Sequence, residues 1–166
     1  MDHDMERVNR ILKDPDFVRI EEQIANCEKT RIFCHHGFEH LLDVARVGVL
    51  MAMDEDLDIP RDIIYAAALL HDIGKGEQYT KGQGIDHEQV GAELAAPILE
   101  KCGYEDDEIE LITEAIAEHR NYRIKDERNL KGLLYRADKA SRKCFACKVT
   151  ERCHKAGALR VMEIKY

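Results

Sequence analysis

Apolar residues in this chain recur at every third or fourth position, and strand-like alternation of apolar and polar residues is almost absent. This spacing places apolar side chains on one face of a helix and favours helices throughout the chain. We therefore predict an all-α bundle of about seven helices. The predicted spans are Met5–Lys13, Phe17–Lys29, Phe38–Met53, Arg61–Ile73, His87–Cys102, Asp107–Glu118 and Asn129–Arg142.

Sequence signals mark several helix ends. Asp86 followed by Gln89 resembles a capping box, and the acidic run Glu105–Glu108 suits a helix N-terminus, whose dipole favours negative charge. Gly103 can adopt the left-handed conformation that ends a helix. These signals agree with the helices predicted on either side of them.

Proline and glycine predict two interruptions of the helical pattern. Pro97 lies inside the span His87–Cys102 and is expected to kink that helix or to end it near Ala96. The stretch Gly74–Ile85 contains four glycines and is predicted to be a mobile loop.

Composition and charge exclude several classes of protein. With 166 residues, 45% of them hydrophobic and 35% charged, the chain fits one globular domain and resembles neither a disordered nor a membrane protein. The net charge is −8, although residues 120–148 hold ten Lys or Arg against three Asp or Glu. An acidic surface opposes attraction to nucleic-acid phosphates, so we do not expect nucleic acid as a partner.

Neither a membrane span nor a secretory signal is predicted. Ile63–Leu70, the longest uncharged apolar stretch, is far shorter than the ~20 residues that cross a bilayer. Asp2, Asp4 and Glu6 occupy positions where a signal peptide would be apolar. We therefore expect a cytoplasmic protein without a membrane partner.

The six cysteines are expected to be reduced thiols or metal ligands rather than disulfides, because no secretory signal is present. Cys144, Cys147 and Cys153 form a cluster that, with His154, offers four ligands for a structural zinc ion. Adjacent ligands at 153 and 154 suit one ion poorly, and no second Cys-x2-Cys occurs. Ordinary thiols are the favoured interpretation, and zinc is the alternative.

Six ionisable side chains interrupt the apolar faces of five predicted helices. One buried histidine is common, but six buried ionisable groups are costly and are tolerated mainly where they bind metal or perform catalysis. Their mixture of imidazoles and carboxylates suits borderline or hard divalent ions. The six residues are His40, His71, Asp72, His87, His119 and Asp138.

His71 and Asp72 are adjacent at the end of the apolar run Ile63–Leu70. Consecutive helical residues point about 100° apart, so the histidine can face one ion while the two aspartate oxygens reach towards two. This pair predicts a two-metal site with a bridging aspartate.

Four of these residues occur in a known order of motifs. His40, then His71 and Asp72 within LLHDIGK, then Asp138 within RADKA resemble the HD superfamily of metal-dependent phosphohydrolases, in its HDIG variant. The resemblance implies an HD-type helical domain over residues 1–143, followed by a cysteine-containing extension over residues 144–166. Among HD enzymes, the arrangement is most similar to bacterial hydrolases that cut diadenosine tetraphosphate symmetrically.

The resemblance also implies how two divalent ions are held and used. Iron, manganese or cobalt is expected, with magnesium or zinc as alternatives. A water activated by the metal would hydrolyse a phosphoester or phosphoanhydride, with Asp72 and Lys75 as catalytic residues. The implied ligands are His40, His71, Asp72 and Asp138 for one ion, and Asp72, His87 and His119 for the other.

Four residues are candidates for contact with a phosphorylated substrate, which we expect to be a small molecule and a nucleotide. Lys75 could neutralise a phosphate or be a solvated loop lysine. Arg120 and Arg142 could each donate two hydrogen bonds to phosphate, or belong to a solvated helix face. His36 could contact the substrate or protonate its leaving group, or lie on the surface.

Two other functions are compatible with the same sequence. A mononuclear nucleotidase or dNTP phosphohydrolase would use the first set of ligands alone. A regulatory HD-like module would keep the helical scaffold without turnover, but such modules usually lose ligands, and every expected position is filled here.

Overall fold

Helices form the regular structure of residues 3–155 and 157–166, which are the residues that this computed structural model describes, and no strand occurs among them. The predicted all-α fold is thereby confirmed. The α-helices are α1 (His3–Ile11), α2 (Pro15–Glu28), α3 (Phe38–Asp54), α4 (Arg61–Leu70), α5 (Lys75–Lys81), α6 (His87–Cys102), α7 (Asp106–Glu118) and α8 (Leu130–Ala140). Short 3-10 helices cover Tyr122–Ile124, Cys144–Ala146, Thr150–Arg152 and Gly157–Leu159. Residues 1, 2 and 156, which the predicted domain and extension include, lie outside the described residues.

Helix α4 lies at the centre of the bundle and packs against α1, α3, α6, α7 and α8. Every residue from Ile63 to Leu70 is buried, apart from the half-buried Tyr65. A helix that is apolar on all sides is stable only where other elements surround it. The C-terminal end of α4 is consequently inside the protein, and His71, which caps it, has no exposed surface.

The glycine-rich stretch after α4 is helical, so the prediction of a mobile loop over Gly74–Ile85 is wrong for its first half. Helix α5 packs against α2, and the Gln23 side-chain amide donates a hydrogen bond to the Gly76 carbonyl at 3.3 Å. The Gln78 side chain donates to the Ile85 carbonyl at 2.9 Å and holds the turn that follows. Tertiary contacts therefore offset the low helix propensity of the glycines.

Two local predictions about α6 have different outcomes. The helix does not end near Ala96 but continues through Pro97 to Cys102, with Ala95, Ile98 and Leu99 buried against the neighbouring helices; the alternative of a kink at Pro97 stays a prediction. Asp86 makes no side-chain cap, since the Gln89 N–H already donates to the Asp86 backbone carbonyl at 3.1 Å. The Gln89 side chain instead donates to the Ala117 carbonyl on α7.

The other predicted helix ends are confirmed. Gly103 has a φ of 88° and ends α6 in the left-handed conformation. Glu105 and Glu108 form a reciprocal capping box at the start of α7, where the Glu105 N–H donates to the Glu108 carboxylate at 2.9 Å.

The C-terminal extension contacts the helical part of the chain at several points. The His154 ring packs edge-on against Phe33, with ring centroids 5.8 Å apart, and the Arg142 side chain donates to the Leu159 carbonyl at 3.0 Å. None of the helices in the described part of the chain combines the length and apolar character needed to cross a membrane.

Candidate metal centre

The six predicted ligands converge from five helices at one end of α4. His40 lies in the first turn of α3, and His87 is the first residue of α6. His71 and His119 cap the C-termini of α4 and α7. Because the termini of several helices lie close together here, short side chains from distant parts of the sequence come within a few ångströms of one another. The two remaining members are Asp72, directly after His71, and Asp138 on α8.

The first half of the centre contains two histidines and two carboxylates. Asp72 Oδ2 lies 3.3 Å from His71 Nε2 and 3.7 Å from His40 Nε2. Asp138 Oδ1 lies 3.3 Å from His40 Nε2 and 3.8 Å from His71 Nε2. Ligand atoms of His40, His71 and Asp72 all lie within 4.8 Å of one another, which is close enough for one ion.

The second half uses the other oxygen of the same aspartate. Asp72 Oδ1 lies 3.3 Å from His87 Nε2 and 3.5 Å from His119 Nε2, and these three residues also form a group that could hold a metal ion. The two oxygens of Asp72 therefore face two different pairs of histidines.

Backbone carbonyls fix the orientation of two rings. His71 Nδ1 lies 2.7 Å from the Ala68 carbonyl, and His119 Nδ1 lies 2.7 Å from the Ile116 carbonyl. When Nδ1 donates to a carbonyl, Nε2 carries the lone pair that can bind a metal. Buried Nε2 atoms of His40 and His71 have no hydrogen-bond partner, so a cation would satisfy groups that are otherwise costly to bury. The donor set fits a divalent ion.

The charges of His71 and of the two carboxylates strongly influence one another's pKa values. Burial by itself would raise the pKa of Asp72, but the charge of His71 and the nearby imidazoles of His87 and His119 hold it well below the usual range. Burial would likewise lower the pKa of His71, yet Asp72 and Asp138 raise it to about 10. Both shifts favour an anionic Asp72, the form in which a carboxylate can bind a cation.

The glycine of the HDIG motif permits the close approach of α6. A Cβ on Gly74 would lie 1.9 Å from the His87 carbonyl oxygen, whereas a Cβ on Gly91 would make ordinary contacts at 3.4 Å or more. The backbone of a metal-ligand candidate therefore packs directly on this turn.

Gly74→Ala is expected to displace His87 and to weaken metal binding in the second half of the centre. The clash involves backbone atoms, which cannot move aside as a flexible side chain would. Elemental analysis after metal loading would show a reduced metal content. Gly91→Ala is the matched control, and an equal loss in both variants would contradict this explanation.

The predicted substrate residues differ in burial and in the partners that they contact. Lys75 begins α5 and is half-buried, and burial lowers its pKa, with the charges of Arg120 and Arg31 acting in the same direction. Arg120 is exposed and pairs with the Glu88 carboxylate at 3.5 Å. Arg142 donates to the Leu159 carbonyl at 3.0 Å, so this guanidinium is engaged with the C-terminal extension rather than with the ligand cluster.

His36 lies beside the centre, with its ring edge-on to His40 at a centroid distance of 5.9 Å. Its Nδ1 lies 2.6 Å from Glu28 Oε1, and its backbone N–H donates to Glu28 Oε2 at 2.8 Å. The Tyr79 hydroxyl donates to the same Oε1 at 2.6 Å. Glu28 was not among the predicted site residues, although its position, four residues after Ile24 on the buried face of α2, was a signal that could have identified it.

Glu28→Gln is expected to lower stability most above pH 4.5. Burial opposes the charge of Glu28, but hydrogen bonds from His36 and Tyr79 hold its pKa at about 2, compared with an ordinary value of 4.5. The stabilisation is complete above pH 4.5 and is lost as the pH falls towards 2. Denaturant unfolding at a series of pH values should show the difference between the two proteins shrinking on acidification. A difference that does not change with pH would contradict this.

The cysteine cluster is not drawn together into a compact group of potential ligands among the described residues. All six cysteines are free, and none belongs to the groups of three or more potential ligands found within 4.8 Å of one another among the described residues. Cys144 and Cys147 lie at the two ends of a 3-10 turn, and the Thr150 hydroxyl contacts both of their carbonyls. The zinc alternative thus receives no support from the arrangement of these cysteines, and the interpretation as ordinary thiols stays a prediction.

Comparison with known proteins identifies relatives of this chain. The HD domain family model matches residues 37–143. An uncharacterized protein of Clostridium beijerinckii is 39% identical over 162 residues, which cover 98% of this chain and 100% of that protein. No solved structure matches the chain.

Two enzymes match over shorter segments. Ribonuclease Y of Borreliella afzelii is 37% identical over 82 residues, or 49% of this chain and 14% of that enzyme. The bifunctional uridylyltransferase/uridylyl-removing enzyme of Gluconobacter oxydans is 37% identical over 59 residues, or 36% of this chain and 6% of that enzyme. The chain thus spans only a small part of either enzyme.

Proposed function

The chain belongs to the HD domain family, and we propose that it is a binuclear, metal-dependent phosphohydrolase acting on a nucleotide. The orientation of Asp72 carries this proposal, because its two oxygens face separate histidine pairs at 3.3 to 3.7 Å. A carboxylate in this position can bridge two ions, whereas a site for a single ion needs only one of its oxygens. Two ions at such a site supply an activated water and neutralise charge on the phosphoryl oxygens.

The protein's own residues would divide the work around this centre. His40, His71 and Asp138 would complete the ligands of one ion, and His87 and His119 those of the other. Carbonyl hydrogen bonds to His71 and His119 hold both rings in place before any ion binds. The second ion is the part of the proposal that separates a binuclear enzyme from a mononuclear nucleotidase.

Positive charge near the centre supports a substrate with several phosphates, such as a dinucleoside polyphosphate. Lys75 is half-buried close to Asp72, and the charges of Arg31 and Arg120 act on it. These cations would compensate phosphates that the metal ions do not contact. Arg31 was not among the predicted residues, and Arg142 is not included because it binds the extension.

His36 is proposed to contact the leaving-group side of the substrate. Glu28 and Tyr79 hold its Nδ1 side, so that Nε2 is the ring atom available for a hydrogen bond to a substrate oxygen. Two buried or half-buried partners on one histidine restrict its ring far more than a surface position would.

The test is hydrolysis by protein loaded anaerobically with Fe²⁺, Mn²⁺, Co²⁺, Mg²⁺ or Zn²⁺. Diadenosine polyphosphates, nucleoside monophosphates, dNTPs and short RNA form the substrate panel, and the RNA is included because of the similarity to ribonuclease Y. We expect nucleotide release from a diadenosine polyphosphate, with two metal ions per chain. Bound metal without turnover on any substrate would instead favour a regulatory module.

The mononuclear alternative is tested separately. His87→Ala and His119→Ala are expected to reduce the metal content from two ions to one. If both variants keep the wild-type stoichiometry and activity, the second ion is absent from the mechanism, and a mononuclear nucleotidase becomes the better assignment.

A further inference from the structure

Lys139 contacts both halves of the candidate metal centre, although it is not one of the six candidate ligands. Its ammonium group donates to Asp138 Oδ2 at 2.7 Å and to the backbone carbonyl of His119 at 3.0 Å. The side chain is only 22% exposed. One lysine therefore touches a candidate ligand from each half of the centre.

The conformation of Lys139 is not the one that its sequence position would suggest. Adjacent residues on a helix point about 100° apart, so a lysine next to an aspartate normally extends away from it into solvent. Here the ammonium group folds back onto its neighbour, and it also lies over the Tyr135 ring, 4.3 Å from the centroid. Tyr135, one turn earlier on α8, thereby helps to hold the charge in place.

The contact with Asp138 distinguishes its two oxygens. Oδ2 accepts the hydrogen bond from Lys139, while Oδ1 faces His40 and His71 at 3.3 and 3.8 Å. Asp72 has no lysine partner of this kind among its described contacts, and both of its oxygens face histidines. Asp138 therefore has one oxygen available to bind metal, whereas Asp72 has both of its oxygens available.

The hydrogen bond to the His119 carbonyl lies at the C-terminal end of α7. His119 caps the C-terminus of α7, where backbone carbonyls have no partner within the helix. A cation at this end satisfies one such carbonyl and interacts favourably with the helix dipole. The same ammonium group thus fixes the position of the His119 backbone.

We propose that Lys139 is a positioning residue that restricts Asp138 to a single ion and ties together the two helix segments carrying Asp138 and His119. This inference rests on the proposed metal centre. It assigns Lys139 no contact with substrate.

Lys139→Met tests the inference, because methionine keeps the length and apolar stem of the side chain but removes the ammonium group. We expect metal binding that is ~10 to 100-fold weaker, the usual range when a partner of a metal ligand is removed. Chelator competition and elemental analysis measure this directly, without reference to activity. Lys139→Arg should recover part of the lost affinity, since it restores a cationic donor.

Lys131→Met is the matched control. Lys131 also lies on α8 and also reaches α7, through an ion pair with Glu114 at 2.9 Å, but it makes no described contact with the metal-ligand candidates. Its replacement should leave metal affinity unchanged. Should Lys139→Met fail to fold, Lys139→Gln, which retains a donor for the His119 carbonyl but removes the charge beside Asp138, takes its place.

The outcomes separate this inference from the proposed function. A lysine that acted only through its charge would repel a cation, so tighter metal binding by Lys139→Met would overturn the positioning role, as would unchanged binding. Wild-type protein that binds no metal ion would instead overturn the proposed metal centre itself.

Discussion

Asp72→Asn is expected to abolish hydrolysis and to remove metal from both halves of the centre. The amide offers only one oxygen acceptor in place of two anionic ones, so it cannot bridge the histidine pairs that Asp72 faces. We expect kcat/KM to fall on the order of 10³-fold or more, as when one member of a group of residues acting together is removed. Steady-state kinetics and metal analysis of the same preparation provide the measurement.

Asp86→Asn is the matched control for this substitution. Asp86 is exposed, immediately precedes His87 and makes no side-chain cap, so its charge can be removed without disturbing the centre. Activity and metal content should stay at the wild-type level. Retention of two tightly bound ions by Asp72→Asn would contradict a bridging role for this residue.

Arg7→Met is expected to cause the largest loss of stability, without acting on the metal centre. Arg7 on α1 donates to the carboxylate of Asp62 on α4, which is 1% exposed, and to Glu108 Oε1 on α7 at 2.9 Å. Its guanidinium also lies 4.2 Å from the centroid of the Tyr104 ring. Removing Arg7 leaves a buried carboxylate without its cation, which costs about 3–5 kcal/mol in free energy of unfolding.

Thermal and denaturant unfolding in the presence of a chelator would measure this loss, which corresponds to a Tm lower by roughly 6–20 °C. Arg19→Met is the control, because its ion pair with Asp16 is exposed on both sides and is expected to contribute about 0–1 kcal/mol. The double variant Arg7→Met with Asp62→Asn should recover part of the loss. A loss for Arg7→Met no greater than that for Arg19→Met would rule out the buried ion pair as a major source of stability.

The convergence of the candidate ligands was predictable because helical periodicity is a local property. Each of the six residues continues the apolar face of its own helix, and apolar faces point inwards in any bundle. His71, Asp72, His87 and His119 are indeed no more than 3% exposed. Periodicity could not give the pairing of Asp72 oxygens with particular histidines, because that pairing depends on the angles between helices.

The incorrect local predictions share one physical cause. Helix α5 and the missing Asp86 cap are both accompanied by contacts with residues far away in the sequence, Gln23 with Gly76 and Gln89 with Ala117. These contacts outweigh local preferences of a few kcal/mol or less. The same is true of Glu28 and Lys139, whose partners His36, Tyr79 and His119 lie on other segments.

The order of amino acids was thus sufficient to predict an all-helical chain, the six candidate ligands and the resemblance to HD proteins, since each depends on spacing within short segments. The folded arrangement established which oxygen faces which imidazole, that Arg142 binds the extension, and that Lys139 joins Asp138 to the end of α7. Distances between helices arise from the packing of many side chains together, and no single segment encodes them.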